Sequence, residues 1–454
     1  MAFSVSSDRQ GSGFIFTGTY AHSLSPEQLK IVNGLIAVLD GKIVAAEESP
    51  CDKDAVIASI KSKYPDIKWE TVTLKPGQFL CPGFIDLHVH APQFPNAGLG
   101  YDLPLLDWLQ KYTYPCEQKY SDVKHAKYVY KNVVDKMLRC GTTTACYFGT
   151  IHRESTLELA KAVALAGQRA FIGKVNMNFG CPKNYSETLE ESLEETNKFI
   201  SEVSELKNPL VKPIITPRFA VTCDSKLMAE LSKIAKANSL HVQTHISENA
   251  SEVEFVKKLF DGKSYTDVYD QAGLLTNRTL LAHGIYLSDS ELDLIRERGC
   301  TVVHCPNSNV SLKSGICRVR RLQKHNVNVG LGTDVSGGYS ASMLNCMRSA
   351  IDASIVTFFQ DSQSSPLTYN DVFYMATTGA AIALGMENKI GNFKVGKKFD
   401  ALLIDMSEEI SLFNSDDSLS NSEIFQKFLY TGDDRNISSV YVNGVMVKSD
   451  ATSN

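Results

Sequence analysis

Residues 82–90 read PGFIDLHVH, and this stretch carries the strongest signal for the fold and for the chemistry. The Pro-Gly pair is a turn signal, and the run of Phe, Ile, Leu and Val after it is typical of a buried β-strand. Side chains alternate between the faces of a strand, so Asp86, His88 and His90 are predicted to share one face. Two imidazoles at this spacing can bind one metal ion, and neutral imidazole is a preferred zinc ligand. The alternative is a pair of core histidines.

Length, charge and cysteine usage narrow the possible classes of protein. The 454 residues suffice for one large α/β domain and a smaller one. The net charge of -5 argues against a nucleic-acid partner, and no run of about 18 apolar residues predicts a membrane span. The first residues lack a basic region followed by an apolar block, so no signal peptide is expected. The 11 cysteines show no CxxC spacing, which favours free thiols and a cytoplasmic location.

Short β-like runs occur at both ends of the chain. Asp-Gly at 40–41 and Asn-Gly at 443–444 are hairpin signals between such runs. Chain termini often lie close together, so we predict one discontinuous β-sandwich domain from residues 1–80 and 386–454. Residues 411–423, rich in Ser, Asp and Asn, are predicted to form a surface loop. The β-like runs are 14–16, 35–38, 42–45, 401–404, 439–442 and 445–447.

The middle of the chain, residues 81–385, alternates between strand-like and helical patterns. Eight strands separated by helices predict a (β/α)₈ TIM barrel. A doubly wound open sheet is the rival, but no GxGxxG follows any of the strands. The predicted strands are 84–90, 142–148, 170–175, 211–216, 241–245, 280–283, 301–304 and 327–332. The predicted helices include 124–140, 156–166, 186–205, 225–237 and 251–259.

Polar residues gather at the predicted carboxyl ends of these strands, where a TIM barrel holds its catalytic groups. The alternative for any one of them is a solvated loop residue. The segments concerned are HVH at 88–90, TPRF at 216–219, HISE at 245–248, HG at 283–284, HCPNSN at 304–309 and GTD at 332–334.

In this order, the motifs HVH, HISE, AHG, HCPNSN and GTDV resemble the amidohydrolase superfamily. The segment GNFKVGKKFDALLID at 391–405 is similar to the end of its β-sandwich domain. Further segments resemble, over nearly the whole chain, those superfamily members that deaminate guanine. These segments are DLPLLDWLQKYTYPCE at 102–117, GTTTACYF at 141–148, GQRAFIGKV at 167–175, KPIITPRF at 212–219 and KFLYTGDDRNISSVYVNG at 427–444.

The resemblance implies one zinc ion per chain, held by His88, His90, His245 and Asp334. Three imidazoles and a carboxylate suit Zn²⁺, and the same donors also bind iron. By itself Asp334 would be read as a helix cap or turn residue. Some superfamily members hold two metals through a carboxylated lysine at the end of strand 4. Here Lys212 stands at the start of that strand, which favours a single metal.

The resemblance also implies catalytic roles for Glu248, His283 and Asp334. Glu248 would carry a proton from the attacking water to the leaving group, and His283 would lie near that water. The alternative for Glu248 is a surface glutamate before a helix whose Glu252 and Glu254 read as a solvated face. The alternative for His283 is a satisfied core histidine. The expectation is a structural role for His304 and a loop-organising role for Asn307.

For the substrate, the resemblance implies contacts from Gln93, Arg218, Phe219 and His245. A guanidinium can pair with O6 and N7 of guanine, an amide can bind a purine edge, and Phe219 can stack on the base. The alternatives are a surface ion pair for Arg218 and a loop amide for Gln93.

The resemblance implies hydrolytic deamination of guanine to xanthine and ammonia, and it implies a homodimer. One rival is a superfamily enzyme acting on adenosine-like, triazine or pterin substrates. The other is a non-catalytic scaffold that has lost the metal.

Overall fold

The computed structural model describes residues 12–407, 410–411 and 418–449. The N-terminal segment in which no signal peptide was expected, residues 1–13, lies almost wholly outside these residues. Much of the loop predicted at 411–423 also lies outside them. The strands of the described part are β1 Ser12–Ser25, β2 Gln28–Leu39, β3 Lys42–Glu48, β4 Lys68–Thr73, β5 Gln78–Pro82, β6 Phe84–His90, β7 Thr142–Phe148, β8 Arg169–Gly173, β9 Val175–Asn176, β10 Val211–Pro213, β11 Thr216–Pro217, β12 Val242–Ile246, β13 Thr279–His283, β14 Thr301–His304, β15 Asn328–Leu331, β16 Ala401–Asp405, β17 Ile437–Val442 and β18 Val445–Ser449.

The helices of the described residues lie mainly between the central strands. The α-helices are α1 Lys53–Lys63, α2 Leu105–Trp108, α3 Tyr114–Gln118, α4 Val123–Arg139, α5 Arg153–Ala166, α6 Leu189–Glu205, α7 Ser225–Ala237, α8 Ala250–Leu259, α9 Tyr265–Gln271, α10 Asp289–Arg298, α11 Pro306–Ser311, α12 Val319–Lys324, α13 Met343–Gln360, α14 Tyr369–Met375, α15 Thr378–Ala383 and α16 Asn421–Thr431. Short 3₁₀ helices span Ala91–Asn96, Lys119–Ser121 and Asp434–Asn436, and a π-helical turn spans Leu109–Thr113. None of the described helices is long and apolar enough to cross a membrane.

Strands from both ends of the chain form one eight-stranded sheet. Its order is β18-β17-β16-β5-β1-β2-β3, with β4 also paired to β1. Both predicted hairpins are confirmed, because β2 pairs antiparallel with β3 and β17 with β18. At each turn both central residues have a positive φ, with 50° and 72° at residues 40 and 41 and 50° and 76° at 443 and 444. This conformation explains the Asp-Gly and Asn-Gly pairs.

The central strands are parallel and follow the predicted order. The series β6, β7, β8 and β10 pairs in parallel, as does the series β12, β13, β14 and β15. A parallel bridge between Ile215 and Val242 joins the two series on one side. On the other side, N–H of Asp334 donates to O of His88 at 2.8 Å, and N–H of His90 donates to O of Val335 at 3.0 Å. The carboxyl ends of β6 and β15 are therefore directly joined.

Most element predictions are confirmed to within three residues. The 301–304 strand and the 225–237 helix match their predicted bounds, and the helix begins there because Asp224 caps it through the N–H of Leu227. The loop predicted at 411–423 is wrong from Asn421 onward. Ser420 and Glu423 form a capping box that starts α16 within that polar stretch.

The segment 105–118 is an element that the sequence reading does not predict. Its helices α2 and α3 are joined by the π-helical turn at Leu109–Thr113. Pro115 lies in the first turn of α3, and proline has no N–H to continue the α-helical hydrogen bonds. The resulting bulged helix lies beside the carboxyl ends of the central strands. Its Glu117 contacts Gln93, which follows β6, and Arg218, which follows β11.

Candidate active site

The two histidines of β6 lie side by side at the carboxyl end of the strand. Their ring centroids are 5.0 Å apart, and both side chains are buried. Asp86 accepts hydrogen bonds from the backbone N–H of Thr333 at 3.0 Å and from its hydroxyl at 2.5 Å. Because Thr333 follows β15, these bonds hold the next residue, Asp334, beside the histidine pair.

Two further donors approach this pair from other strands. Nε2 of His90 lies 3.0 Å from Nε2 of His245 on β12. Oδ1 of Asp334 lies 3.2 Å from Nε2 of His88 and 3.5 Å from Nε2 of His90. Ring nitrogens of the three histidines lie within 4.8 Å of one another. The structure therefore brings together the four side chains that the sequence nominates as metal ligands.

The hydrogen bonding of the ring nitrogens fits a metal site. Nδ1 of His245 lies 2.7 Å from the carbonyl oxygen of Arg218, so this nitrogen carries the proton and Nε2 has a free lone pair. The buried Nε2 of His88 lies 3.2 Å from Oδ1 of Asp334 but forms no well-directed hydrogen bond with any described residue. Such a buried, unpaired nitrogen is costly, and a metal ion would satisfy it.

The ionisation states also fit a metal site. Burial lowers the pKa of His88, and burial together with the neighbouring histidines lowers those of His90 and His245 well below the usual value. All three imidazoles are therefore neutral at pH 7, which is the form that binds a metal. Burial alone would raise the pKa of Asp334, but the adjacent His88 lowers it to about 2. The donor set thus consists of three neutral rings and one carboxylate.

Glu248 and His283 lie next to this donor set. Nε2 of His283 is 3.5 Å from Oε2 of Glu248 and 3.8 Å from Oδ2 of Asp334. Nδ1 of His283 lies 2.8 Å from Oδ1 of Asn309, and the hydroxyl of Ser314 donates to Oε1 of Glu248 at 3.3 Å. Glu248 is 4% exposed, so the alternative of a surface glutamate is wrong.

Glu252 is a buried part of the site, and its interpretation as a solvated residue is wrong. Its side chain is fully buried, and its Oε2 accepts the backbone N–H groups of Glu248 at 2.9 Å and Asn249 at 3.0 Å. Its Oε1 accepts the hydroxyl of Tyr265 at 2.8 Å. Burial, the charge of Glu252 and that of Asp334 raise the pKa of Glu248 well above its usual value. Glu254, by contrast, is exposed as predicted.

Three non-glycine residues of the site have left-handed backbone conformations. The φ angles are 49° at Ser247, 75° at His283 and 48° at Asp334, each at or just after the end of a central strand. Such conformations are unfavourable for residues with a Cβ atom and cluster at functional sites. Here they turn the chain sharply at the strand ends, which directs His283 and Asp334 toward the histidines.

A pocket opens over the predicted ligands. Its walls combine polar groups from the strand ends with apolar side chains that the sequence reading does not nominate. The polar or aromatic residues that line it are His90, Gln93, Trp108, Arg218, Phe219, His245, Glu248 and Asp334. The remaining lining residues are Leu105, Leu109, Leu312 and Gly337. The pocket therefore contains every predicted substrate-binding residue.

Arg218 and Gln93 are buried and share one partner. Nη1 of Arg218 donates to Oε2 of Glu117 at 2.6 Å, and Nε2 of Gln93 donates to Oε1 of the same carboxylate at 2.8 Å. Arg218 is 2% exposed, so its alternative as a surface ion pair is wrong. Phe219 lies beside the candidate metal ligands, with its ring centroid 6.0 Å from that of His245.

Other nominated residues lie outside the pocket lining. His304 is buried, and burial lowers its pKa to about 3. Asn307 accepts the backbone N–H of Tyr339 at 2.9 Å, which ties two loops together. Lys212 lies on β10 with its Nζ 5.7 Å from the ring centroid of Phe171. Cys305, which was not nominated, lies close to His88 and His283.

The chain belongs to the amidohydrolase family. The model of the family described as "Amidohydrolase family" matches residues 79–447. The chain is 48% identical to guanine deaminase of Mus musculus over 95% of the chain and 96% of that protein. It is 44% identical to guanine deaminase of Dictyostelium discoideum over 96% and 98% of the two chains. The crystal structure of guanine deaminase from C. acetobutylicum with bound guanine superposes with a TM-score of 0.88 at 35% identity, covering 96% and 100%.

Proposed function

We propose that the chain catalyses hydrolytic deamination of guanine to xanthine and ammonia, with one zinc ion per chain. One observation carries this proposal, namely that four candidate metal ligands lie together at a pocket that also contains a buried carboxyl group, Glu248, and a buried arginine, Arg218. The identity of 44–48% to guanine deaminases over nearly the whole chain supports the choice of substrate.

Four residues would hold the zinc ion: His88, His90, His245 and Asp334. A bound zinc ion lowers the pKa of water from 15.7 to about 7 and so supplies a nucleophile at neutral pH. The unpaired Nε2 of His88 and the short approach of His90 to His245 support this assignment. The donor set also suits iron.

Glu248 would carry the proton during the reaction. A bond forms between the water oxygen and C2 of guanine, and the bond between C2 and the exocyclic nitrogen breaks. One water proton leaves with the amine as ammonia, through Glu248, and the other remains on the ring as N3–H of xanthine. The raised pKa of Glu248 supports this role, because a general acid–base works best with a pKa near the operating pH. His283, 3.5 Å from Glu248, would hold the attacking water in place.

Arg218, Gln93 and Phe219 would bind and orient the base. The guanidinium donates toward the O6 side of guanine, the amide faces its Watson–Crick edge, and Phe219 packs against the ring. These contacts direct C2 toward the metal donors, including His245, which would then also touch the substrate.

We also infer the architecture that supports this site. The parallel series from β6 to β15, joined at both sides, supports a closed (β/α)₈ barrel over residues 81–385. The shared sheet of the chain ends supports a second, discontinuous domain from 1–80 and 386–454. Its β-sandwich packing and a homodimeric assembly remain predictions.

The test is ammonia release from a panel of guanine, adenine, adenosine, a pterin and a triazine, with and without a chelator. We expect release from guanine, loss with the chelator and recovery with added Zn²⁺. Faster turnover of another panel member would assign the chain to that substrate, and no turnover with bound metal would oppose an enzymatic role.

A further inference from the structure

The carboxylate of Glu117 connects two residues of the pocket wall, Gln93 and Arg218, with a third side chain behind them. Besides Gln93 and Arg218, it accepts the hydroxyl of Tyr185 at 2.7 Å, so both of its oxygens are engaged. Glu117 and Tyr185 are fully buried. Glu117 does not line the pocket itself, and neither metal binding nor proton transfer accounts for a carboxylate buried at this position.

The partner of Gln93 decides which way its amide faces. Nε2 of Gln93 donates to Oε1 of Glu117, so the Gln93 amide presents its nitrogen, not its oxygen, to this carboxylate. The Oε1 atom of Gln93 is left without a hydrogen bond from any described residue, on a side chain that lines the pocket. Gln93 therefore offers an acceptor to a bound base.

The same carboxylate orients Arg218 as a donor. Its bond to Nη1 holds one end of the guanidinium, and Cζ lies 5.3 Å from the ring centroid of Tyr114. Among the described residues, no second acceptor binds this guanidinium. The remaining N–H groups of Arg218 are available to a ligand, so the pocket presents a fixed donor and a fixed acceptor.

We propose that Glu117 is the positioning residue that sets this donor–acceptor pattern and thereby selects purines with a lactam edge. Guanine offers O6, an acceptor, next to N1–H, a donor. Adenine offers the reverse, an amine donor next to an unprotonated N1 acceptor. It would therefore place a donor against Arg218 and an acceptor against the oxygen of Gln93. This inference rests on the proposed function, because it concerns the specificity of that pocket.

The test replaces Glu117 with Gln. The new amide must place its NH₂ group against either Gln93 or Arg218. If the NH₂ group faces Gln93, it needs an acceptor, so the Gln93 amide turns its oxygen toward residue 117 and its own NH₂ group into the pocket. We expect KM for guanine to rise roughly 10- to 100-fold, since a site with one wrongly placed polar group rejects its ligand. The value of kcat at saturation and the metal content should change much less.

Asp400→Asn is the matched control, because Asp400 is another buried carboxylate paired with an arginine, Arg169, at 2.9 Å. It lies just before β16, in the sheet of the chain ends. A purely structural role for Glu117 predicts that both variants lose thermal stability while the guanine KM stays near that of wild type. This outcome would overturn the inference.

The double variant Gln93→Glu/Glu117→Gln covers the case in which the single variant does not fold. It keeps one carboxylate in the pair and again leaves an acceptor oxygen on residue 93, so KM for guanine should lie within about 10-fold of wild type. A folded double variant with KM raised about 100-fold or more would refute the proposal. Wild-type protein that does not deaminate guanine would instead refute the proposed function.

Discussion

Replacement of Arg218 should separate binding of the base from stability of the fold. Arg218→Ala leaves Glu117 fully buried with no cation beside it, although Gln93 and Tyr185 still donate to it. Removing one partner of a buried ion pair typically costs about 3–5 kcal/mol. Domains are stable by only about 5–15 kcal/mol, so the variant should show a large drop in its urea midpoint.

Arg218→Lys is the informative companion. The ammonium can still neutralise Glu117, so most of the stability should return. A lysine lacks the planar fork, however, and cannot hold Glu117 and the base at the same time. The lost contact is worth about 1–3 kcal/mol, which corresponds to roughly a 5- to 150-fold rise in KM for guanine.

The assay combines urea unfolding, metal content and steady-state kinetics on guanine for both variants. We expect Arg218→Ala to lower the urea midpoint and raise KM for guanine, whereas Arg218→Lys should mainly raise KM. A stable Arg218→Lys variant with the KM of wild type would refute the assignment of Arg218 to the base. The roles proposed for the metal ligands and for Glu248 would still stand after that result.

Four further outcomes are expected. Glu248→Gln should retain the metal while kcat falls by at least about 10²-fold, the lower end for a general acid–base group. His88→Ala or Asp334→Ala should remove metal and activity together, as measured by elemental analysis beside ammonia release. Glu252→Gln removes a negative charge that, after burial, raises the pKa of Glu248; that pKa should fall, and the acid limb of the kcat/KM profile should move to lower pH. Light scattering at micromolar concentrations should detect a homodimer.

Each of these has an opposing result. Near wild-type turnover in Glu248→Gln would assign the proton transfer elsewhere, with His283 next in line. Full activity without metal would contradict the hydrolytic mechanism. An unchanged or upward-shifted acid limb in Glu252→Gln would show that its charge does not act on Glu248. A single monomeric species would contradict the dimer.

The buried position of Glu252 was not predicted, although the sequence contains a motif that indicates it. Asn249 and Glu252 form a capping box at the start of α8, and the N-x-x-E spacing that marks such a box is visible in the sequence. A capping glutamate folds back onto the backbone of the preceding residues. That position is what brings Glu252 to the N–H of Glu248.

The sequence alone determined most of the central strands, the polar residues at their ends and the pairing of His88 with His90 on one strand face, whereas His245 and Asp334 were nominated as ligands through the resemblance to the amidohydrolase superfamily. These features are local, since alternation along a strand and the turn after it depend on neighbouring residues. Only the tertiary structure decided the network of Glu117, whose partners lie 24, 68 and 101 residues away in sequence. A buried carboxylate is stable only where several donors converge on it, and no local pattern shows which distant donors the fold will bring together.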